Sequence, residues 1–138
     1  MPPEVQSAII EHHGTLPLKY FYLKAKKYTD GFLPYDGYCY EGPKPQNKIS
    51  AILMICDACE SALRASNDVT LAEKIVDDIV KERLEFEQFS ECDITMVDLT
   101  KIRYALVSAL SGVYHHRVKY PNIKYRRTEK GTKGESDE

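Results

Sequence analysis

The sequence contains no apolar run that approaches the ~20 residues a helix needs to cross a bilayer. Its first residues, MPPEVQSAII, lack the basic segment and the apolar core of a secretory signal. The four cysteines are too few and too irregularly placed for a disulfide framework, which favours a reducing compartment. These absences together predict a cytoplasmic location and no membrane span within this chain.

The chain also lacks an excess of charge of one sign. Nineteen lysines and arginines stand against 21 aspartates and glutamates, which gives a formal net charge of -2 and a pI near 6.1. This balance is not typical of proteins that bind nucleic acid or anionic lipid, so no nucleic acid polymer is expected as a partner. The length of 138 residues and the hydrophobic share of 43% are those of one ordinary globular domain.

No segment alternates as a β-strand does, and the apolar residues recur at helical spacing. AILMIC (51–56) is apolar on every side and predicts a buried helix. Thr70 with Glu73, and Thr95 with Asp98, have the spacing of capping boxes at helix starts. The sequence predicts an all-α domain with helices at 3–12, at 16–28, at 47–66, over LAEKIVDDIVKERLEF and over LTKIRYALVSALSGVYHHRV.

Two segments fall outside this helical pattern. Residues 29–46 hold three glycines and three prolines, which predicts a long loop that is either functional or mobile. Aromatic residues within this loop favour packing over mobility. After Tyr120 and Pro121 the chain turns polar, so we expect the folded domain to cover residues 1–121 and residues 122–138 to form a disordered tail.

The stretch EHHGT (11–15) places two histidines side by side. Neighbouring positions on a helix point ~100° apart, so His12 and His13 can face one site only where a helix ends. Gly14 provides such an ending. Neutral imidazole is the commonest metal ligand, but two exposed histidines at a helix C-terminus would also be favourable. Spacing alone leaves both interpretations open.

Asp57 is the second candidate, because it directly follows the apolar run AILMIC of the predicted buried helix. A carboxylate there would be costly unless it is paired or bound to a metal. Asp57 shares a helix face with Glu60, Ser61 and Arg64. The alternative interpretation is therefore a polar stripe where the helix reaches the surface, with a weak pair between Glu60 and Arg64.

The remaining cysteine and histidine pairs favour structural roles. Cys56 and Cys59 form a CxxC without a second pair to complete a zinc site, so packing is the expected role. His115 and His116 lie beside Arg117, whose charge would repel a cation, and a solvated helix end is expected there.

Five segments, taken in order, resemble one known family: EHHGT, GPKPQNK, AILMICDACESALRAS, IVDDIVKERLEFEQFSECDITMVDL and SALSGVYHHRVKYP. The resemblance is to the C-terminal part of the cytoplasmic HD domain of the bacterial seven-transmembrane HD receptors, and it covers residues 4–121. In that family the HD domain hydrolyses cyclic di-AMP to pApA at a two-metal centre. The resemblance implies a helical HD-domain-like bundle and a metal-dependent phosphodiesterase.

The resemblance also implies roles for individual residues. His12 and His13 match ligands of one metal, and Asp57 matches a ligand of the other. Lys44 lies in the GPKP loop that borders the dinucleotide, where it could meet a phosphate oxygen. Glu60 would contact the metal ligands without binding the metal itself. In the complete domain the metal is expected to be manganese or iron.

One departure from the family limits these expectations, because the chain has no His-Asp dipeptide and no histidine before His12. In the family that aspartate bridges the two metals. We therefore expect an incomplete bundle without the N-terminal helices that carry the HD motif, in which Asp57 stands alone. Such a chain should be inactive by itself, with weak or partial occupancy by one metal ion.

The absence of the N-terminal helices should also expose an apolar surface, through which a homodimer could form. Attachment to a membrane would require further segments of the parent protein. Whether this chain is itself an enzyme stays open. The alternatives are a non-catalytic helical module that binds a nucleotide or a partner protein, and a plain structural bundle.

Overall fold

The computed structural model describes the backbone of residues 1–118 and the side chains of residues 1–113. Within the described part of the chain there are five α-helices: α1 (Pro3–Glu11), α2 (Lys19–Lys27), α3 (Lys48–Ser66), α4 (Ala72–Glu85) and α5 (Met96–Val118). Short 3₁₀ turns occur at Asp36–Tyr38 and Val69–Leu71. The prediction of an all-α fold is confirmed. The predicted tail (122–138) and the side chains of His115 and His116 lie outside the described residues.

Helix α3 forms the centre of the core. It packs against α1, α4 and α5, and its inward face buries a stripe of apolar residues at helical spacing, to which α4 adds alanine and valine side chains. The buried residues of these two helices are Ala51, Met54, Ile55, Cys59, Leu63, Ala72, Val76 and Val80.

The prediction that AILMIC is buried on all sides is wrong for its outer face. Ile52 and Leu53 remain 38% and 37% exposed. The neighbouring helices cover one side of α3 and leave these two side chains open. An apolar run predicts burial only where neighbours exist on every side, and sequence alone does not supply that information.

One of the two predicted capping boxes is confirmed. The amide of Thr95 donates to Asp98 Oδ2 and the amide of Asp98 donates to Thr95 Oγ1, each over 3.0 Å, at the start of α5. The predicted box of Thr70 and Glu73 is wrong. Thr70 instead donates its amide (3.0 Å) and its hydroxyl (2.6 Å) to Asp68 Oδ1, which caps the 3₁₀ turn before α4.

The long loop between α2 and α3 returns to the segment that follows the histidine pair. Leu18 N–H donates to Tyr38 O over 2.6 Å and Tyr40 N–H donates to Leu16 O over 3.0 Å. These bonds hold residues 16–18 extended, so α2 begins at Lys19 and not at residue 16 as predicted. The same pairing brings Tyr40 beside His13. Across residues 1–118, no helix has both the length and the apolar character that a bilayer crossing requires.

Candidate metal centre

The end of α1 sets the orientation of the histidine pair. The helix stops at Glu11, His12 is its C-cap, and Gly14 takes a positive φ of 52°. This turn brings the two imidazole rings together, with centroids 4.0 Å apart and planes tilted by 40°. Both rings therefore face one region, as the spacing allowed.

The hydrogen bond of His12 decides which ring nitrogen is free to bind a metal. Its Nδ1 lies 2.7 Å from the carbonyl oxygen of Ile9 and 3.2 Å from that of Ala8. A carbonyl oxygen can only accept, so Nδ1 carries the proton and donates. The lone pair of the neutral ring then stands on Nε2, the arrangement found in metal-binding histidines.

Asp57 joins the two histidines. Each of the three side chains offers one ligand atom, and the three atoms lie within 4.8 Å of one another. The expectation that Asp57 stands alone is therefore wrong, because the packing of α1 on α3 brings the aspartate to the histidine pair. Asp57 is exposed at the surface of α3, and both histidines are half-buried. We call His12, His13 and Asp57 the ligand cluster.

The chemistry of the ligand cluster fits a divalent transition metal. Imidazole nitrogen and carboxylate oxygen suit manganese, iron and zinc. Two atoms bound to one ion at ~2.1 Å can be at most ~4.2 Å apart, and separations within 4.8 Å are close to that limit. Three donors are too few for a two-metal centre.

The surroundings of His13 favour its metal-binding form. Burial lowers the pKa of His13, the neighbouring His12 and Arg83 lower it further, and Asp57 opposes them. A lowered pKa keeps the imidazole neutral near pH 7, as a metal ligand must be. The ring also stacks on Tyr40, with centroids 4.4 Å apart and planes within 9°.

A buried glutamine fixes the turn that follows the histidines. Gln88 is 1% exposed. Its Oε1 accepts the amide of Thr15 and its Nε2 donates to Thr15 Oγ1, each over 3.0 Å. Nε2 also donates to Phe86 O over 2.9 Å. Sequence reasoning missed Gln88, because its partner lies 73 positions away and a glutamine in a polar stretch resembles a surface residue.

Glu11 was also missed, although it lies within the quoted EHHGT stretch. Its side chain is buried, at 6% exposure, and Oε2 accepts the amide of Gln46 over 3.1 Å. This bond ties the glycine–proline loop to the end of α1. Lys44 lies in that loop with Nζ 3.4 Å from Ser90 Oγ. Its predicted contact with a phosphate stays a prediction.

Glu60 lies one turn beyond Asp57 on α3. Its Oε2 is 2.6 Å from Arg64 Nη2, an i,i+4 ion pair between partly exposed side chains. The structure thus contains the pair that the surface-stripe interpretation predicts. The role of Glu60 in supporting the ligands stays a prediction.

The cysteines on α3 take the packing role. Cys59 is fully buried and belongs to the core cluster. Burial, with Cys56 adding to it, raises the pKa of Cys59 to about 12. Cys59 thus serves the core as a small apolar side chain.

An open cleft of about 430 Å³ adjoins the ligand cluster. His13 and Asp57 lie in its wall with Lys19, Tyr40, Glu82 and Arg83. Glu82 links the two cations: Lys19 Nζ donates to Oε2 over 2.7 Å, and Arg83 Nη1 donates to Oε1 over 2.5 Å. The wall of the cleft thus combines two basic side chains with two carboxylates, those of Asp57 and Glu82.

No protein-family model matches the sequence. The sequence is 44% identical over 126 residues to "Cyclic-di-AMP phosphodiesterase PgpH" of Listeria monocytogenes, covering 90% of this chain and 17% of that protein. It is 39% identical over 122 residues to the protein of the same name from Bacillus subtilis, covering 87% of this chain and 17% of that protein. The chain thus spans a small part of the curated relatives it matches.

The fold is similar to the crystal structure of the L. monocytogenes phosphodiesterase PgpH HD domain in complex with cyclic-di-AMP. The TM-score is 0.78 at 41% identity, with 91% of this chain and 57% of that chain covered. The resemblance to an HD domain is confirmed, and the chain spans little more than half of the crystallised domain.

Proposed function

We propose that this chain, which belongs to the PgpH family as part of its HD domain, contributes half of a metal-dependent site that hydrolyses cyclic di-AMP to pApA. The observation that carries this proposal is the ligand cluster in the wall of an open cleft. The cytoplasm is the expected location. The N-terminal helices with the HD motif would supply the remaining ligands.

Divalent metals are the cofactors that the HD family implies, and the ligand cluster fits them. His12 through Nε2, neutral His13 and Asp57 would hold the ion, for which manganese or iron is proposed. A bound metal in such sites neutralises phosphate charge and activates a water molecule. With three ligands available, occupancy of this chain alone should be weak or partial.

The residues around the ligand cluster orient it before any metal arrives. The carbonyl of Ile9 fixes the tautomer of His12, and the ring of Tyr40 fixes the plane of His13. Gln88 holds the turn that follows the two histidines by accepting the amide of Thr15. A ligand held in one orientation loses less conformational freedom when it binds the ion.

The experiment combines this chain with the remaining, HD-containing part of the L. monocytogenes HD domain, fused or added separately. Cyclic di-AMP and manganese are supplied, and pApA is measured by chromatography. We expect background turnover from the chain alone and measurable turnover from the combination. His13→Ala and Asp57→Asn should each abolish it.

Asp78→Asn is the matched control. Asp78 forms an exposed i,i+4 pair with Lys74 over 2.6 Å on α4, so its loss should leave turnover unchanged. Robust hydrolysis by the isolated chain would contradict the half-site. Turnover by the combination that is indifferent to Asp57 would show that the ligand cluster does not serve the reaction.

A second candidate is a non-catalytic module that binds a nucleotide or a protein partner. The exposed apolar side chains favour it: Ile9 and Ile10 on α1 are 53% and 61% exposed, and Ile52 and Leu53 lie open on α3. Apolar surface of this kind is suited to a partner helix or to a second copy of the chain. If the combination binds cyclic di-AMP but releases no pApA, this candidate replaces the first.

A further inference from the structure

Arg83 occupies an unusual position for a cation. It lies on α4 in the wall of the cleft, together with His13 and Asp57. Its side chain is 13% exposed, whereas those of most arginines reach solvent. A charge this deeply placed is costly unless its donors find partners.

The donors of Arg83 are largely unmet. A guanidinium carries five N–H groups. Nη1 donates to Glu82 Oε1 over 2.5 Å, and Nε is buried without a hydrogen-bond partner. Among the described residues, Nη2 has no hydrogen-bond partner either. Lys19 donates to the other oxygen of Glu82, and Arg83 makes a single hydrogen bond to this carboxylate.

Arg103 in the same molecule shows a guanidinium with two donors bound to one carboxylate. Its Nε donates to Asp77 Oδ1 over 2.7 Å and its Nη2 contacts the same oxygen. Two donors of Arg103 thus share one carboxylate, as in a structural pair. Arg83 has no such second contact, because within the described chain its one ion pair is with Glu82.

We infer that Arg83 binds a phosphate oxygen of the nucleotide in the cleft through guanidinium N–H groups that have no partner among the described residues. Arginine forks match phosphate geometry and form strong charge-assisted hydrogen bonds with it. Lys19, 65% exposed at the same rim, adds positive charge near the anion. This inference rests on the proposed function and names the residue that recognises the phosphodiester.

The test uses the full chain, with inorganic phosphate as the probe. Arginine Nε–H resonances are followed by ¹H–¹⁵N NMR during the titration, and Arg83→Lys identifies the resonance of Arg83. We expect phosphate to shift the Arg83 resonance and to leave that of Arg103 in place. An unmoved Arg83 resonance would overturn the inference.

Affinity provides the second reading. Arg83→Lys keeps the charge and loses the fork, so phosphate should bind about tenfold more weakly, as expected for loss of a hydrogen bond to a charged group. Arg103→Lys is the matched control and should leave the affinity unchanged. Equal affinities of the Arg83→Lys variant and the unmodified chain would count against phosphate recognition by Arg83.

In the combined enzyme, Arg83→Lys should raise KM for cyclic di-AMP and leave the affinity for manganese unchanged. An unchanged manganese affinity would show that Arg83 contacts the substrate and does not act by positioning Asp57. If Asp57→Asn abolishes turnover while Arg83→Lys changes neither KM nor phosphate affinity, the inference fails and the proposed function stands. If phosphate shifts Arg83 while Asp57→Asn leaves turnover intact, the proposed function fails alone.

Discussion

Replacing Gly14 by alanine tests how the histidine turn is held. Gly14 has a φ of 52°, and a Cβ built there would lie 2.2 Å from Gln88 Oε1 and 2.9 Å from Met54 Cε. The end of a methionine can move aside at small cost. The amide oxygen of Gln88 cannot move without leaving the Thr15 amide, to which it is bonded over 3.0 Å.

Two terms set the expected magnitude. The left-handed conformation costs an alanine about 1–2 kcal/mol. Displacing Gln88 breaks its bond to the partly buried Thr15 amide, which costs about 1–3 kcal/mol. We therefore expect Gly14→Ala to lower the free energy of unfolding by about 2–5 kcal/mol, the sum of these two terms.

The assay is urea denaturation followed by circular dichroism, arranged as a double-mutant cycle with Gln88→Ala. Without the glutamine side chain, Gly14→Ala should cost only the conformational term, so the two changes should be less than additive by about 1–3 kcal/mol. Gly37→Ala is the control, since nothing lies within 4 Å of the added Cβ. Strict additivity would refute the contact between Gly14 and Gln88.

Three further predictions concern the cap, a thiol and association. Hydrogen bonds from the backbone and hydroxyl of Thr95 and from Lys48 lower the pKa of Asp98 from 3.8 to about 2. The stability that Asp98 contributes should therefore be present above pH 3.8 and lost as the pH falls through about 2, so Asp98→Asn and the unmodified chain should converge there in acid denaturation. Cys59, with its pKa raised to about 12, should be the slowest cysteine to react with iodoacetamide in the folded protein, as mass spectrometry would show, and rapid labelling would contradict its burial. The exposed apolar side chains should drive self-association, so light scattering should give a mass that rises with concentration, and a constant monomer mass would contradict this.

Local signals in the sequence predicted local structure well. The helical periodicity gave the all-α fold, and the capping box of Thr95 and Asp98 was found as predicted. The failed box at Thr70 is also local: Asp68 competes for the same threonine, and a spacing rule does not weigh two acceptors against each other. The histidine pair at the end of α1 followed from Gly14.

Long-range packing accounts for the rest of the site. The approach of Asp57 to the histidines depends on how α1 crosses α3, and periodicity gives no crossing geometry. Gln88 bonds to Thr15, 73 positions away in the sequence, so no local sequence pattern predicts this contact. The sequence analysis did not single out Arg83, because its burial depends on the helices packed around it.

Manganese titration of the chain by isothermal calorimetry tests the half-site most directly. We predict weak binding of at most one ion, lost in Asp57→Asn and in His13→Ala, retained in Asp78→Asn, and reversed by mild chelation. The Asp57→Asn result tests the correction that the aspartate joins the histidines. Two tightly held ions per chain would contradict the half-site, and one ion whose affinity is indifferent to Asp57 would contradict the ligand cluster.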